Sequence, residues 1–338
     1  MKAVRVGING MGRIGRAVLR QIAARTDVEV AAVNDLVDLD ELTYMLRFDS
    51  VHGRFGPVER RASTLVVRGQ EVPCSSHRTP AEIPWRDVGA EVVIEATGAF
   101  RSRTAAAGHL DAGAKRVILS APSDDADLTV VLGVNESDYD PARHQVVSMA
   151  SCTTNCLAPM VKVLHQAFSV EVAVFTTIHA YTSSQSLVDG PARKRPRGRA
   201  AALSIIPTTT GAALAAERVL PELAGRIHGI AMRVPVPDGS VTDLVARLGR
   251  QVTDQEVNDA FRSAASRPDL QGILEVSDER LVSADIVGDP RSAVIDAPNT
   301  QVSQGLVVKV LAWYDNEWGY AARLIDCARY VSTRDSGA

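Results

Sequence analysis

A glycine-rich turn near the start of the chain constrains the fold most strongly. Gly10, Gly12 and Gly15 form a GxGxxG pattern within VGINGMGRIGRAVLRQI. An apolar run precedes the turn, and apolar residues then recur at every fourth position: Ile14, Val18 and Ile22. Glycines allow a tight turn, and a helix that begins there offers its N-terminus to an anion. The pattern predicts a strand, a turn and a helix around a dinucleotide site, although a glycine turn without a ligand is an alternative.

An acidic residue follows at the spacing that such a site requires. The strand-like run VEVAAVND ends in Asp35, 20 residues after Gly15. A carboxylate at this spacing typically accepts a hydrogen bond from the 2′-hydroxyl of an adenosine ribose, and it repels a 2′-phosphate. Asp35 therefore predicts NAD rather than NADP as the cofactor.

Short apolar runs alternate with helix-like segments through the first 150 residues. Five runs have the character of strands: AVRVGI, VEVAAVND, EVVIEATG, KRVILSAP and LTVVLGVN. Several are apolar throughout, as in strands buried on both faces. At 338 residues the chain is too long for one ordinary core. We predict an α/β protein whose N-terminal domain is a Rossmann domain with a mainly parallel sheet.

The pattern changes after residue 151. Apolar and polar residues alternate more regularly in EVAVFTTIHAY, GIAMRVPV, SVTDLVARL and GLVVKVLAWYD. This alternation favours a second, α+β domain with a mixed or antiparallel sheet. Thr253 and Glu256 have capping-box spacing and predict a helix start. Leu324, Cys327 and Val331 fall on one face of a predicted last helix.

Composition excludes several classes of partner. The net charge of −3 provides no overall attraction to nucleic acid or to an anionic membrane. No apolar run approaches the roughly 18 residues that span a bilayer. The start of the chain has no signal-peptide layout, and the four cysteines show no disulfide-like pattern. We expect a cytoplasmic protein with no membrane or dedicated nucleic-acid partner.

Two of the cysteines lie four residues apart in SMASCTTNCLAPM. Cys152 and Cys156 could be two zinc ligands, but the chain offers no complementary cluster of cysteine and histidine, so we expect no metal. A disulfide would be unusual in the cytoplasm. We assign Cys156 to packing. Cys152 lies where the strand QVVS leads into a helix, and unpaired N–H groups at a helix start stabilise a thiolate. Cys152 is therefore a candidate nucleophile.

A nucleophilic thiol also needs a base. Of the seven histidines, His179 ends the apolar strand VAVFTTIHAY, where its side chain would emerge at the end of a sheet. A lone histidine is more often structural than catalytic, but a positioned cysteine and a dinucleotide fold favour the catalytic interpretation.

These motifs resemble those of the phosphorylating glyceraldehyde-3-phosphate dehydrogenases across nearly the whole chain. NGMGRIGR, ASCTTNC, HAYT, TTTGAA, AMRVP and WYDNEWGY occur in the same order. The resemblance implies an NAD-binding domain over residues 1–151 and a catalytic domain over 152–316. It also implies a C-terminal helix, 317–333, that packs on the first domain, and a homotetramer.

The resemblance also assigns roles at the reacting centre. Cys152 would be the nucleophile and His179 the acid and base, through a thiohemiacetal and a thioester that inorganic phosphate cleaves to 1,3-bisphosphoglycerate. The Cys152 N–H and His179 would stabilise the oxyanion. The substrates would be glyceraldehyde 3-phosphate, NAD and phosphate.

The resemblance implies three groups of binding residues. Inorganic phosphate would be bound by Ser151, Thr153, Thr210 and Gly211, and Cys152 also belongs to the combined substrate- and phosphate-binding set. The substrate phosphate would be held mainly by Thr182, Arg197 and Arg233, with Arg197 preferred over Arg199. NAD would contact Gly10, Gly12, Arg13, Ile14, Gly15, Asp35, Arg78, Ser120 and Asn316, with Asn316 at the nicotinamide amide.

The basic run RKRPRGR could by itself indicate a nucleic-acid patch. In the resembling family this region is a loop beside the cofactor at a subunit interface. Departures from the family pattern are Met11, Met149, Leu214, Ser183 and Ser184. Alternatives to the main interpretation are an erythrose-4-phosphate dehydrogenase and a catalytically silent NAD-binding or RNA-binding paralogue.

Overall fold

The computed structural model describes residues 3–335. The chain forms two compact units. The first contains the residues up to Val130, Ser137–Ala150 and the residues from Ala321 onward, and the second contains Val131–Glu136 and Ser151–Tyr320. The chain therefore returns to the first unit within its last helix.

A nine-stranded sheet forms the centre of the first unit. Its strands are β1 (Val4–Asn9), β2 (Val28–Asn34), β3 (Val58–Arg61), β4 (Thr64–Val67), β5 (Gln70–Ser75), β6 (Val92–Glu95), β7 (Arg116–Leu119), β8 (Leu128–Thr129) and β9 (Val146–Ser148). Their order is β3-β4-β5-β2-β1-β6-β7-β9-β8. β1 pairs in parallel with β2 and β6, and β3, β4 and β5 form an antiparallel extension. The predicted mainly parallel sheet is confirmed.

The helices of the first unit that precede residue 130 are α1 (Arg13–Ile22), α2 (Leu39–Arg47), α3 (Arg103–Ala106) and α4 (Gly108–Asp111). The helix predicted after the glycine turn is α1, and Val18 and Ile22 on its apolar face are fully buried. Asp38 caps α2, because its side chain accepts the Asp40 N–H at 2.8 Å.

One predicted strand is largely wrong. Within LTVVLGVN, β8 contains two residues, and the chain then turns. The Val134 N–H donates to the Val131 carbonyl at 3.0 Å, and the Asn135 side chain accepts the Val131 N–H at 2.9 Å. Val131 is fully buried. The apolar run therefore reflects a buried turn, which periodicity does not distinguish from a buried strand.

The second unit contains an eight-stranded mixed sheet. Its strands are β10 (Val170–Ala180), β11 (Ile206–Thr208), β12 (Ile227–Val234), β13 (Ser240–Leu248), β14 (Leu274–Ser277), β15 (Ala293–Asp296), β16 (Gln301–Ser303) and β17 (Val307–Tyr314). The order is β11-β12-β10-β13-β17-β15-β14, with β16 beside β17. β10 pairs in parallel with β12 and antiparallel with β13. The predicted mixed sheet is confirmed.

The helices of the second unit are α5 (Cys152–Phe168), α6 (Ala212–Val219) and α7 (Asp254–Ala265). α7 begins with the predicted capping box. Thr253 Oγ1 accepts the Glu256 N–H at 3.2 Å, and Glu256 Oε2 accepts the Thr253 N–H at 2.8 Å. α5 is buried around most of its circumference, as expected of a helix in the interior of a unit.

The last helix is α8 (Trp318–Asp335). Leu324, Cys327 and Val331 are all buried, which confirms their predicted shared face. In the first unit, Arg25 donates to Asp326 Oδ1 of this helix at 3.0 Å.

Short 3-10 helices occupy several connections: Pro80–Glu82, Glu136–Asp138, Arg195–Gly198, Pro221–Leu223, Ser283–Ile286 and Ala297–Asn299. Among residues 3–335, no helix is both long enough and apolar enough to cross a bilayer.

Candidate active site

The three glycines of the first turn have different local roles. Gly10 has a φ of +93°, and a Cβ there would lie 2.6 Å from the Thr97 nitrogen. A Cβ at Gly15 would lie 2.0 Å from the Gly10 oxygen, whereas a Cβ at Gly12 would meet no atom within 4 Å. Gly10 and Gly15 are therefore required by the turn, and Gly12 leaves open space at the start of α1. This is the cradle that a pyrophosphate requires.

Asp35 lies at the same edge of the sheet. Its Oδ2 accepts the Met11 N–H at 2.5 Å, and its Oδ1 accepts the Val37 N–H at 2.9 Å. A carboxylate has about four acceptor positions, so it can also accept a ribose hydroxyl. Asp35 lines a cleft of about 490 Å³. Other residues that line the cleft are Leu36, Asp38, Cys74 and Ser76.

The remaining residues predicted to contact NAD have different environments. Arg13 and Ile14 form the first turn of α1, and Arg13 pairs with Asp49. Arg78 is exposed beyond the end of β5, and Ser120 follows β7, where its N–H donates to the Glu95 carbonyl at 3.0 Å. Asn316 belongs to the second unit; it is buried, and its Oδ1 accepts the Ser240 hydroxyl at 2.5 Å.

Cys152 is the first residue of α5. Ser151 caps this helix, because its Oγ accepts the Thr154 N–H at 3.1 Å. The cap anchors the helix start and leaves Cys152 partly exposed beside it. Cys156 is fully buried one turn later, with Sγ 3.9 Å from Met160 Sδ. These environments agree with the different roles assigned to the two thiols.

His179 lies near the end of β10, with Nε2 3.4 Å from Cys152 Sγ. Its Nδ1 has two neighbours that favour opposite tautomers. The Ala180 carbonyl, at 2.7 Å, requires a proton on Nδ1, whereas the Arg233 guanidinium, which also contacts Nδ1, requires a lone pair there. With its proton on Nδ1, His179 presents the Nε2 lone pair to the sulfur. That tautomer can act as a base.

Burial has the largest effect on the ionisation of both groups. It raises the pKa of Cys152, whereas the Arg233 charge and the hydroxyl and N–H of Thr153 lower it. Burial, followed by Arg233, lowers the pKa of His179 to about 3. The helix start by itself predicts a thiolate, but that prediction leaves out the free-energy cost of removing the charged sulfur from most of its water, although Cys152 keeps some exposure. The structure favours a neutral thiol beside a neutral imidazole.

Arg233 lies directly opposite His179 in the pairing of β10 with β12. Its Nη1 donates to the Ala180 carbonyl at 2.9 Å, and its buried Nε has no hydrogen-bond partner in the described part of the chain. Arg197 is close enough for its charge to lower the pKa of both Arg233 and His179. Two neighbouring guanidinium groups with a spare buried donor suit a doubly charged anion.

Arg197 itself contacts only uncharged groups within residues 3–335. Its Nε donates to Thr208 Oγ1 at 3.0 Å, and its Nη1 lies 3.4 Å from Ser184 Oγ. Thr182 Oγ1 lies 2.8 Å from the same Ser184 hydroxyl. In contrast, Arg199 pairs with Asp189 at 2.8 Å. The geometry therefore supports the choice of Arg197 over Arg199 as an anion ligand.

The other predicted phosphate residues lie at helix starts. Gly211 is the N-terminal capping residue of α6, and Thr210 Oγ1 accepts the Ala212 N–H at 3.2 Å. Leu214, a departure from the family pattern, is 67% exposed on this helix. Met11 and Met149 are buried, and Ser183 is exposed.

Tyr314 was not predicted as a site residue, although it belongs to the motif WYDNEWGY. Its buried hydroxyl lies 3.0 Å from Thr153 Oγ1 and 2.8 Å from Thr177 Oγ1. It therefore connects the helix that carries Cys152 with the strand that carries His179. The sequence signal is a tyrosine at the end of a largely apolar strand, since a buried tyrosine hydroxyl needs a partner.

Two family models match this chain. The model described as glyceraldehyde 3-phosphate dehydrogenase, NAD binding domain, matches residues 4–103. The model described as glyceraldehyde 3-phosphate dehydrogenase, C-terminal domain, matches residues 151–316.

Curated relatives extend the similarity to nearly the whole chain. Glyceraldehyde-3-phosphate dehydrogenase of Geobacillus stearothermophilus is 51% identical over 333 residues, which is 98% of this chain and 99% of the relative. Glyceraldehyde-3-phosphate dehydrogenase of Streptomyces coelicolor is 50% identical with the same coverage. Glyceraldehyde-3-phosphate dehydrogenase 1 of Bacillus subtilis is 51% identical, also with this coverage. The chain belongs to the glyceraldehyde-3-phosphate dehydrogenase family.

Proposed function

We propose that this protein oxidises glyceraldehyde 3-phosphate to 1,3-bisphosphoglycerate with NAD and inorganic phosphate. The distance of 3.4 Å between Cys152 Sγ and His179 Nε2 carries the proposal. Support comes from the relatives, which are named glyceraldehyde-3-phosphate dehydrogenase and match this chain over nearly their full length.

The reaction begins at the thiol. His179 Nε2 accepts the Cys152 proton as the sulfur attacks the aldehyde carbon, which forms a hemithioacetal. The Cys152 N–H and His179 stabilise the oxyanion. His179 returns this proton to the oxyanion and removes it again as the carbon loses its hydride, for which bound NAD would be the acceptor. The carbon is then a thioester on Cys152. Attack of inorganic phosphate on this carbon expels the sulfur, which regains its proton from His179, and releases the acyl phosphate.

Arg233 connects substrate binding with proton transfer. The substrate phosphate engages the Arg233 guanidinium, including its spare Nε donor, and draws it away from His179 Nδ1. The Ala180 carbonyl is then the remaining partner of Nδ1 and holds the proton there. This leaves the Nε2 lone pair directed at Cys152, so that phosphate binding selects the tautomer that acts as a base.

Two anion subsites serve the reaction. Thr182, Arg197 and Arg233 hold mainly the substrate phosphate. Ser151, Thr153, Thr210 and Gly211 hold inorganic phosphate through hydroxyl groups and through the N–H groups at the starts of α5 and α6. NAD is proposed to bind at Gly10, Gly12, Arg13, Ile14, Gly15, Asp35, Arg78 and Ser120, and Asn316 is proposed to bond the nicotinamide amide.

A homotetramer is proposed on the basis of the sheet of the second unit. Five apolar side chains on one of its faces are between 38% and 53% exposed: Val172, Val174, Ile230, Val245 and Val307. Val174 and Val245 are direct cross-strand partners, so the exposed area is continuous. Such a face favours association with a further copy. Light scattering should give four times the chain mass of 36.1 kDa.

A cytoplasmic location is also proposed. All four cysteines are free, which is typical of a reducing compartment.

The decisive assay measures NADH formation at 340 nm with glyceraldehyde 3-phosphate and phosphate. Omission of phosphate should stop turnover after one equivalent per site. Erythrose 4-phosphate and NADP should be poor replacements for the substrate and the cofactor. Absence of NADH formation would favour a catalytically silent paralogue, and preference for erythrose 4-phosphate would contradict the proposed substrate.

A further inference from the structure

A chain of buried polar side chains lies beneath the carboxyl ends of β1, β2 and β6. Its members, Asn9, Asn34, Glu95 and His109, are each 3% exposed or less. Glu95 is the centre of this chain. Its Oε2 accepts the Asn9 amide at 2.6 Å and lies 3.0 Å from His109 Nε2. Its Oε1 accepts the Thr97 N–H at 2.8 Å and also contacts the Thr97 hydroxyl.

The donor and acceptor in each of these hydrogen bonds can be assigned from the outermost side chains, Trp85 and Asn34. The Trp85 indole N–H can only donate, and it lies 2.9 Å from His109 Nδ1. His109 therefore carries its proton on Nε2 and donates it to Glu95. Asn9 Oδ1 accepts the Asn34 amide at 2.8 Å, so that the Asn9 amide nitrogen faces Glu95. Every group that faces the Glu95 carboxylate is thus a donor.

The bonds of Glu95 hold the backbone on which the cofactor site is built. Asn9 immediately precedes Gly10, and Gly10 packs so closely on Thr97 that a Cβ would lie 2.7 Å from the Thr97 methyl group. Glu95 bonds to both Asn9 and Thr97. It therefore sets the separation of the glycine turn from the chain that follows β6.

The series of hydrogen-bonded side chains continues to the segment of Asp35, the residue predicted to bind the ribose. Asn34 immediately precedes Asp35 in sequence. Its Oδ1 accepts the His77 N–H at 2.9 Å, and its Nδ2 donates to the His77 carbonyl at 3.0 Å. His77 immediately precedes Arg78. A single carboxylate thus connects, through two amides, the segments that carry Gly10, Asp35 and Arg78.

We propose that Glu95 is a positioning residue for NAD. It contacts no cofactor atom itself and acts through Asn9, Thr97 and Asn34, which it holds in the arrangement that fits the dinucleotide. The inference rests on the proposed location of NAD at this edge of the sheet, but not on the oxidation of the aldehyde. A buried carboxylate with only neutral donors is costly unless every bond is made. Here the bonds to Asn9 and Thr97 hold the two segments that meet at the glycine turn.

The test is Glu95→Gln in the full-length protein, with NAD affinity measured by calorimetric titration. The amide has the same shape, but its NH₂ group must replace one of the two oxygens, each of which faces two donors. At least one N–H donor therefore loses its acceptor and opposes an N–H of the amide. The dissociation constant for NAD should rise by about 10- to 100-fold, as loss of a hydrogen bond to a charged group predicts. kcat at saturating NAD and KM for glyceraldehyde 3-phosphate should stay within about twofold, since an effect confined to cofactor binding leaves both unchanged.

Asp296→Asn is the matched control. Asp296 is also a buried carboxylate, 1% exposed, and its Oδ2 accepts the Trp313 indole N–H at 3.1 Å. It lies in the second unit, on β15. The control should lower thermal stability but leave the dissociation constant for NAD unchanged.

An unchanged NAD affinity in a folded Glu95→Gln protein would overturn the proposal, as would an equal loss of affinity in Asp296→Asn. If Glu95→Gln does not fold, Thr97→Val replaces it, because this change removes one donor at nearly constant volume. An unchanged affinity there also overturns the proposal, and a severalfold loss supports it. NAD binding without aldehyde oxidation by the unmodified protein would contradict only the proposed function; failure to bind NAD would contradict both.

Discussion

Tyr314 stands edge-on to His179, with ring centroids 6.0 Å apart and ring planes at 80°. Its hydroxyl bonds to Thr153, next to Cys152, and to Thr177, two residues before His179. The phenol therefore packs against the imidazole and connects the helix that carries Cys152 with the strand that carries His179.

Tyr314→Phe tests this relationship. The change leaves the Thr153 and Thr177 hydroxyls without their shared partner. The distance between Cys152 Sγ and His179 Nε2 is then less tightly constrained. We expect kcat/KM for glyceraldehyde 3-phosphate to fall by about tenfold, which corresponds to roughly 1.4 kcal/mol.

Tyr139→Phe is the control for this change. Its hydroxyl also connects two polar groups, because it accepts from Arg116 at 2.6 Å and donates to Asp335 at 2.9 Å, but it does so in the first unit. The control should reduce the melting temperature and leave kcat/KM unchanged. An equal fall in kcat/KM in both variants would reduce Tyr314 to a structural role.

Cys152 should be the thiol that iodoacetamide labels first. Burial raises the pKa of Cys74 to about 11 and that of Cys156 to about 12, and it also raises the pKa of Cys327. Burial raises the pKa of Cys152 too, but among the thiols in residues 3–335 it is the one with a histidine Nε2 at 3.4 Å to accept its proton. Mass spectrometry of briefly alkylated protein identifies the site, and labelling of Cys156 before Cys152 would contradict the mechanism.

His179→Asn should change the pH dependence of this labelling. Without the imidazole, the Cys152 thiolate fraction depends on the raised pKa of the thiol itself, so it falls as pH falls below that pKa. Alkylation should then slow about tenfold for each pH unit of decrease across the neutral range. The unmodified protein should show a shallower dependence, because neutral His179 accepts the proton. Parallel pH profiles for the two proteins would show that His179 does not assist the thiol.

Arg233→Ala should discriminate between phosphorylated and unphosphorylated aldehydes. Loss of a charge-assisted contact to phosphate should reduce kcat/KM for glyceraldehyde 3-phosphate by about 10- to 100-fold. Glyceraldehyde itself should be affected much less. Arg199→Ala is the control, since Arg199 pairs with Asp189, and it should have little effect on either substrate. Equal losses on both aldehydes would assign Arg233 to structure.

Asp35→Ala should narrow the preference for NAD over NADP. The carboxylate repels a 2′-phosphate, so its removal should improve use of NADP and weaken use of NAD, which loses its ribose acceptor. The ratio of kcat/KM for the two cofactors measures the change. Equal use of both cofactors by the unmodified protein would contradict the role of Asp35.

The features that the sequence predicted correctly depend on short separations along the chain. The turn at Gly10 and Gly15, the helix start at Cys152 and the capping box at Thr253 each involve residues within a few positions of one another. Such interactions form wherever the local backbone allows, so residue type and spacing are enough to recognise them. The exception is the run after Thr129. Its apolar residues correctly indicated a buried segment, but the backbone there forms a turn and not the predicted strand.

The proposed catalytic arrangement could be described only from the tertiary structure, because it joins residues that are distant in sequence. Cys152 meets His179 since α5 packs in the same unit as β10, and Arg233 lies opposite His179 through the register of β10 with β12. Tyr314 and Glu95 gain their partners in the same way, from neighbouring strands and helices. Strand register and helix packing are decided by the whole core, and a single sequence does not display them. The sequence therefore determined which groups can react, and the fold decided which of them meet.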